Sequence, residues 1–221
     1  MGIESLRSFI HNGNKKRYEK CCQKNMPQNI ASLFIDCNGI FHRSAQIVYR
    51  YGSKPETKKS KYRKPKSYTV EDREELKNVS EETLEKEYLD KIIDTLKEVL
   101  NTFNPKHSYV IAPDGVANSA KINQQKTRRY LSTVDSKDPT IRFDRNGLTP
   151  GTPIMVNIDK KITEWLESEK NLPEKTIYSS HMDPGEGEHK IFDYIRTEKI
   201  IKGKGYHVIN GLDNDLIILS V

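Results

Sequence analysis

Two carboxylates stand two residues apart at Glu186 and Glu188, in the run Asp183-Pro184-Gly185-Glu186-Gly187-Glu188-His189-Lys190, and a second pair follows at Asp213 and Asp215. Single aspartates close two apolar runs, Asp36 after Ser-Leu-Phe-Ile and Asp114 after Tyr-Val-Ile-Ala-Pro. Acids gathered this way in a chain of net charge +6 call for a cation to neutralise them. Carboxylates are hard ligands that suit Mg²⁺, with Mn²⁺ as its substitute, whereas the Cys and His ligands expected for zinc are missing. Crowded without a metal, such groups repel and raise one another's pKa. Two ions about 4 Å apart relieve the repulsion and supply a chemistry, acidifying the attacking water and stabilising the phosphorane and its leaving oxygen. The pattern therefore predicts phosphodiester cleavage in a nucleic acid. A competing account makes each acid a helix cap or a strand terminator. It serves for Asp36 or Asp213 alone, and less well for six acids with two pairs beside glycines. His189 reads as a local structural neighbour of the cluster rather than as a ligand.

A basic run, Ala120–Tyr130, follows Asp114. At helical spacing Lys121, Gln125, Arg128 and Arg129 fall at i, i+4, i+7 and i+8, within one sector. Arginine forks bind phosphate oxygens in pairs and glutamine adds a neutral donor, so this face predicts a phosphate pocket beside the metal site. An ordinary solvated helix face is the alternative. His42 points away from the apolar face of its own helix, which centres near Ile40, Ser44 and Tyr51. Two readings stay open for it, a plain surface residue or a flat ring that stacks on a base near Asp36.

These residues need a scaffold that brings separate segments to one rim. Short apolar runs at 31–36, Ser108–Ala112, Thr176–His181 and Tyr206–Asn210 read as strands. Between them, Asn38–Tyr51, a helix opening near Ser80 and closing before Pro105, Ala120–Tyr130, Thr152–Glu169 and Glu186–Glu198 read as helices. Leu84, Tyr88, Ile92, Leu96, Val99 and Phe103 mark the core face of the second, and residues 131–150 read as turns. The alternation predicts an α/β fold with a mostly parallel sheet flanked by helices. In such sheets reactive groups gather beyond the carboxyl ends of the strands, where all four acid-bearing segments then fall. Residues 53–79 carry a basic stretch followed by an acidic one and read as a charged, flexible insertion.

The 221 residues suffice for one domain, and a pI near 9.0 with 31% charged residues suits a polyanionic partner. Cys21, Cys22 and Cys37 make no metal pattern, so free thiols in a reducing compartment are expected. There is no transmembrane run and no secretory core, and leucine at position 6 speaks against myristoylation. The expected setting is intracellular and away from membranes. Cytoplasm and nucleus both stay open, with the cytoplasm slightly favoured because Lys58-Lys59-Ser60-Lys61 is too short to serve as a nuclear signal.

Leu33–His42, Asp114–Ala117, Ala120–Tyr130, Leu148–Thr152, Pro184–Lys190 and Gly211–Leu219 occur in an order that resembles the N-terminal nuclease region of the XRN family of 5′→3′ exoribonucleases. The resemblance spans residues 1–221 apart from 53–90. It implies a PIN-like fold related to flap nucleases, with Asp36, Asp114, Glu186, Glu188, Asp213 and Asp215 binding catalytic Mg²⁺. It further implies that Lys121, Gln125, Arg128 and Arg129 hold the 5′-monophosphate of single-stranded RNA and that His42 stacks on the first base. Nucleoside 5′-monophosphates would be released one at a time. Two departures stand out. Asn118-Ser119 replaces the family's usual Pro-Arg, and the chain ends at Val221, about two helical turns past Asp213, where family members continue. A C-terminally truncated domain is thus expected. Its rivals are a structure-specific flap-type DNA nuclease and an inactive protein that binds RNA 5′ ends.

Overall fold

The structure, a computed structural model, describes residues 27–55, 66–135, 138–197, 204–212, 216 and 219–220, and of residues 128 and 132–135 the backbone alone. The strands among these residues are β1 (Ile30–Asp36), β2 (Ser108–Ala112), β3 (Lys175–Tyr178) and β4 (Tyr206–Asn210). The α-helices are α1 (Asn38–Val48), α2 (Val70–Glu74), α3 (Glu81–Phe103), α4 (Ser119–Asp135), α5 (Pro153–Ser168) and α6 (Gly187–Arg196). The sheet runs β3-β2-β1-β4 and every pairing is parallel, so the expected α/β arrangement is present. β1, at its centre, is buried along its whole length.

A parallel sheet is stable only when both faces are covered. Side chains alternate along each strand. Leu33 and Ile35 of β1, with Tyr109 and Ile111 of β2, enter the larger core under α1, α3 and α5. Phe34, Val110 and Ala112 enter a smaller core closed by Ile191 of α6. After β1 the chain builds toward β2 and β3 on one side, then returns to place β4 on the other. The crevice beyond the carboxyl ends of β1 and β4 is the switch point at which such sheets bind ligands.

Several element boundaries differ from expectation. α1 stops at Val48 rather than Tyr51, because Arg50 adopts a left-handed φ of 53° and its guanidinium donates to the Asp72 carbonyl at 2.7 Å. Tyr51 is still buried, but from the turn and not from the helix. β3 ends at Tyr178 instead of His181, since the chain turns through Ser180–Gly185 toward α6. Residues 66–79 are not open chain. Thr69 and Asp72 form a reciprocal capping box on α2, and Arg73 and Leu76 are buried. The turns at 131–150 are partly helix, since α4 runs to Asp135, and Phe143 packs among Tyr49, Tyr51 and Tyr88. By contrast, Ser80 caps α3 through Thr83 N–H at 3.1 Å, and Asn104 closes that helix in the left-handed region, as the flanking residues predict. No helix among the described residues is long and apolar enough to cross a membrane. Cys37 is a buried free thiol, while Cys21, Cys22 and the basic run 58–61 lie outside the described residues.

Candidate active site

β1 ends at Asp36 and the chain turns at once into α1, which leaves this carboxylate at a helix N-terminus, a favourable place for negative charge. Asn38 N–H faces its Oδ1 at 3.4 Å. The Asn38 side chain reaches the neighbouring loop, where its Oδ1 accepts from Asp114 N–H at 3.2 Å. Asp114 Oδ1 in turn accepts from Gly187 N–H at 2.7 Å. Gly187 opens α6 between Glu186 and Glu188, both buried. A Cβ at Gly187 would lie 3.0 Å from Asp36 Oδ1. Four acids from three strand ends thus converge on one glycine.

The loops that carry them are locked together. Gly115 N–H donates to Gly185 O at 2.8 Å, and Gly185 N–H to Val116 O at 2.9 Å. A side chain at Gly115 would place its Cβ 1.7 Å from Asp183 O, so this approach requires glycine. Gly211, just after β4, also lies against Asp36, its Cβ position 3.2 Å from that of the aspartate. Asp213 and Asp215 themselves lie outside the described residues.

Glu186, Glu188 and the exposed His189 each offer a ligand atom within 4.8 Å of the others. His189, expected to be only a neighbour, is therefore within ligand reach. Buried carboxylates need a counter-charge. Lys121 of α4 provides one, its Nζ 2.7 Å from Glu186 Oε2. Partial burial works against the Lys121 charge, but the Glu186 contact, with Glu188 behind it, outweighs this and holds its pKa above the ordinary lysine value. Burial pushes the Asp114 carboxyl up. Gly187 N–H, Lys121 and Lys190 oppose that rise and Glu186 adds to it. Converging carboxylate oxygens that already draw a cation have the donor set for a hard divalent ion. Helix capping accounts for the Asp114–Gly187 contact. It does not account for Glu186, which occupies the N-cap of α6 without a capping hydrogen bond and pairs with Lys121.

Beside the acids a cleft open to solvent brings together Asp114, Gly115, His42, Gln125 and Arg129. Arg129 Nη2 donates to Gln125 Oε1 at 3.3 Å. His42 is exposed on α1, away from the buried Phe41, Ser44 and Ala45. Lys121, grouped with Gln125 and Arg129 by spacing, turns toward Glu186 and so joins the basic helix to the acid rim. The Arg128 side chain lies outside the described residues.

Residues 1–221 match the family described as the XRN 5'-3' exonuclease N-terminus. The chain belongs to this family. It is 32% identical to 5'-3' exoribonuclease 1 of Schizosaccharomyces pombe over 246 residues, covering 100% of this chain and 16% of that protein. It is 33% identical to the Saccharomyces cerevisiae 5'-3' exoribonuclease 1 over 165 residues, 65% of this chain and 11% of the relative. With the Homo sapiens protein of the same name it shares 36% identity over 147 residues, 57% of this chain and 9% of the relative. The chain thus spans less than a fifth of the length of these relatives. Its sheet and flanking helices are consistent with a PIN-like XRN N-terminal domain.

Where XRN proteins usually carry Pro-Arg, Asn118 acts here as a cap for α4, its Oδ1 accepting from Lys121 N–H at 2.9 Å. The sequence reading missed Lys190. It is 6% exposed and its Nζ donates to Pro113 O at 3.0 Å and Ser180 O at 2.7 Å. Burial pushes its pKa down, against the upward pull of Asp183, Asp114 and Asp159. In sequence it resembles a solvated lysine beside Glu188 and His189. Only its place one helical turn after Glu186 hints that it faces inward.

Proposed function

We propose that this chain is the nuclease region of a metal-dependent 5′→3′ exoribonuclease, which hydrolyses 5′-monophosphorylated RNA to nucleoside 5′-monophosphates in intracellular RNA degradation. The observation that carries this reading is the cleft in which His42, Gln125 and Arg129 share walls with Asp114. A phosphate-binding group and an acid rim this close define both where an RNA end is held and where it is cut. The names of the relatives support RNA as the substrate.

In this mechanism the Arg129 fork, oriented by Gln125, binds the terminal phosphate, with Lys121 and Arg128 adding charge from the same helix. His42 stacks on the first base and holds the scissile bond against the rim. A pocket sized for a monophosphate, as the family resemblance implies, would exclude a cap or triphosphate. Asp36, Asp114, Glu186 and Glu188, joined by Asp213 and Asp215 on the family resemblance, would hold a pair of Mg²⁺ ions, with Mn²⁺ as a substitute. When bound, the metal supplies Lewis acidity toward water and charge neutralisation at the phosphate. Lys121, paired with Glu186, links this helix to the acid rim.

Single-turnover hydrolysis with Mg²⁺, comparing 5′-monophosphate with 5′-hydroxyl RNA, tests the reading. Loss of one charge-assisted contact corresponds to about tenfold or more in rate, and Arg129→Met should abolish the preference. Equal rates on the two ends would sink the phosphate assignment. A matched DNA strand in the same assay separates an exoribonuclease from a flap-type DNA nuclease.

A further inference from the structure

We propose that Lys190 is a positioning residue: by donating to Pro113 O and Ser180 O it fixes the Asp114 loop against the Glu186–Glu188 helix turn and thereby sets the affinity of the acid rim for its divalent cation. The inference rests on the metal reading given above and concerns a residue that reading does not use.

Lysine is almost never buried without partners, because its ammonium must recover the hydrogen bonds it gives up to water. Here two of the three donors go to main-chain carbonyls of two different loops. Pro113 immediately precedes Asp114, and Ser180 begins the turn that leads from β3 to Glu186. Lys190 itself belongs to α6, where its N–H donates to Glu186 O at 3.0 Å. One side chain therefore ties together the three backbone segments that present Asp114, Glu186 and Glu188. Ser180 is anchored in its turn, since its Oγ donates to Asp159 Oδ2 of α5 at 2.9 Å, and Tyr178 OH donates to Asp159 Oδ1 at 2.5 Å. The clamp thus stands on a helix of the main core. Groups that orient metal ligands without touching the metal typically change affinity or activity by about 10–100-fold when removed.

Lys190→Met keeps the aliphatic stem and removes the donors. Binding of Mn²⁺ to the intact protein, followed by electron paramagnetic resonance without RNA, should weaken by about tenfold or more. kcat should fall at low Mg²⁺ and recover at high Mg²⁺, with a smaller change in KM for 5′-monophosphate RNA because Gln125 and Arg129 belong to α4. Mn²⁺ affinity within twofold of wild type overturns the proposal, whatever happens to thermal stability. Should the variant not fold, hydrogen exchange on the wild type decides. Added Mg²⁺ should slow exchange at Gly115, Gly185 and Gly187 together, and protection of Gly187 alone overturns the clamp. A wild type that binds no divalent cation overturns the metal reading itself, which is a separate result.

Discussion

A methyl group added at Gly187 would sit 2.5 Å from the Ala112 carbonyl oxygen and 3.0 Å from Asp36 Oδ1, neither of which can move without disturbing β2 or the acid rim. Alanine normally stabilises a helix relative to glycine. At this position Gly187→Ala should instead destabilise by about 1–3 kcal/mol through overpacking and weaken divalent-cation binding, read from urea midpoints and a Mn²⁺ titration. Asp114 gives a pH signature. Its pKa is raised, first by burial, so the folded protein keeps this proton at pH values where the unfolded chain has lost it. In metal-free buffer its contribution to stability is therefore greatest below the ordinary value of 3.8 and declines as pH rises through the raised folded value, levelling off above it. Asp114→Asn should remove that decline, so the variant gains on wild type across this window in urea unfolding with EDTA. The convergence of Asp36, Asp114, Glu186 and Glu188 on one rim was legible in the sequence because each acid ends an apolar run or sits beside a glycine. Lys190 was not, because its partners are backbone carbonyls from distant loops and carry no side-chain signal.

At the scale of elements, legibility followed how local the determinants are. β2 and β4 match their apolar runs from end to end, and α3 begins and ends at its cap and its proline. Their signals lie within a few residues. The end of α1 was misread because Arg50 and its partners in 72–75 are long-range. The capping box that starts α2 was present in the sequence as Thr69 and Asp72, but the surrounding charge concealed it. Buried Arg73 of this helix pairs with Asp138 and donates to Thr140 Oγ1 at 2.8 Å and Arg50 O at 3.1 Å. Arg73→Met leaves no charge buried, since Asp138 is partly exposed, so the cost comes mainly from the lost hydrogen bonds, about 1–3 kcal/mol. A shifted urea midpoint with an unchanged Mn²⁺ affinity would place Arg73 in the scaffold and outside the site.

Across the whole molecule, the parallel sheet with its reversal at β1 and β4 places the acid rim, the basic helix α4 and His42 on one edge. The fold class was readable because each strand run is followed by a helical one. The joining of Lys121 to Glu186 was not, because spacing fixes the face of a helix but not the neighbour it meets. The central claim is that the cleft and the rim work as one site, holding a 5′ phosphate and cutting the bond next to it. RNA radiolabelled on its 5′-monophosphate, incubated with the intact protein and Mg²⁺, tests this most directly. The label should appear as a nucleoside 5′-monophosphate in the first turnover and remain on full-length RNA in EDTA. Label found in longer oligonucleotides from internal cuts, or released equally well without Mg²⁺, would contradict it.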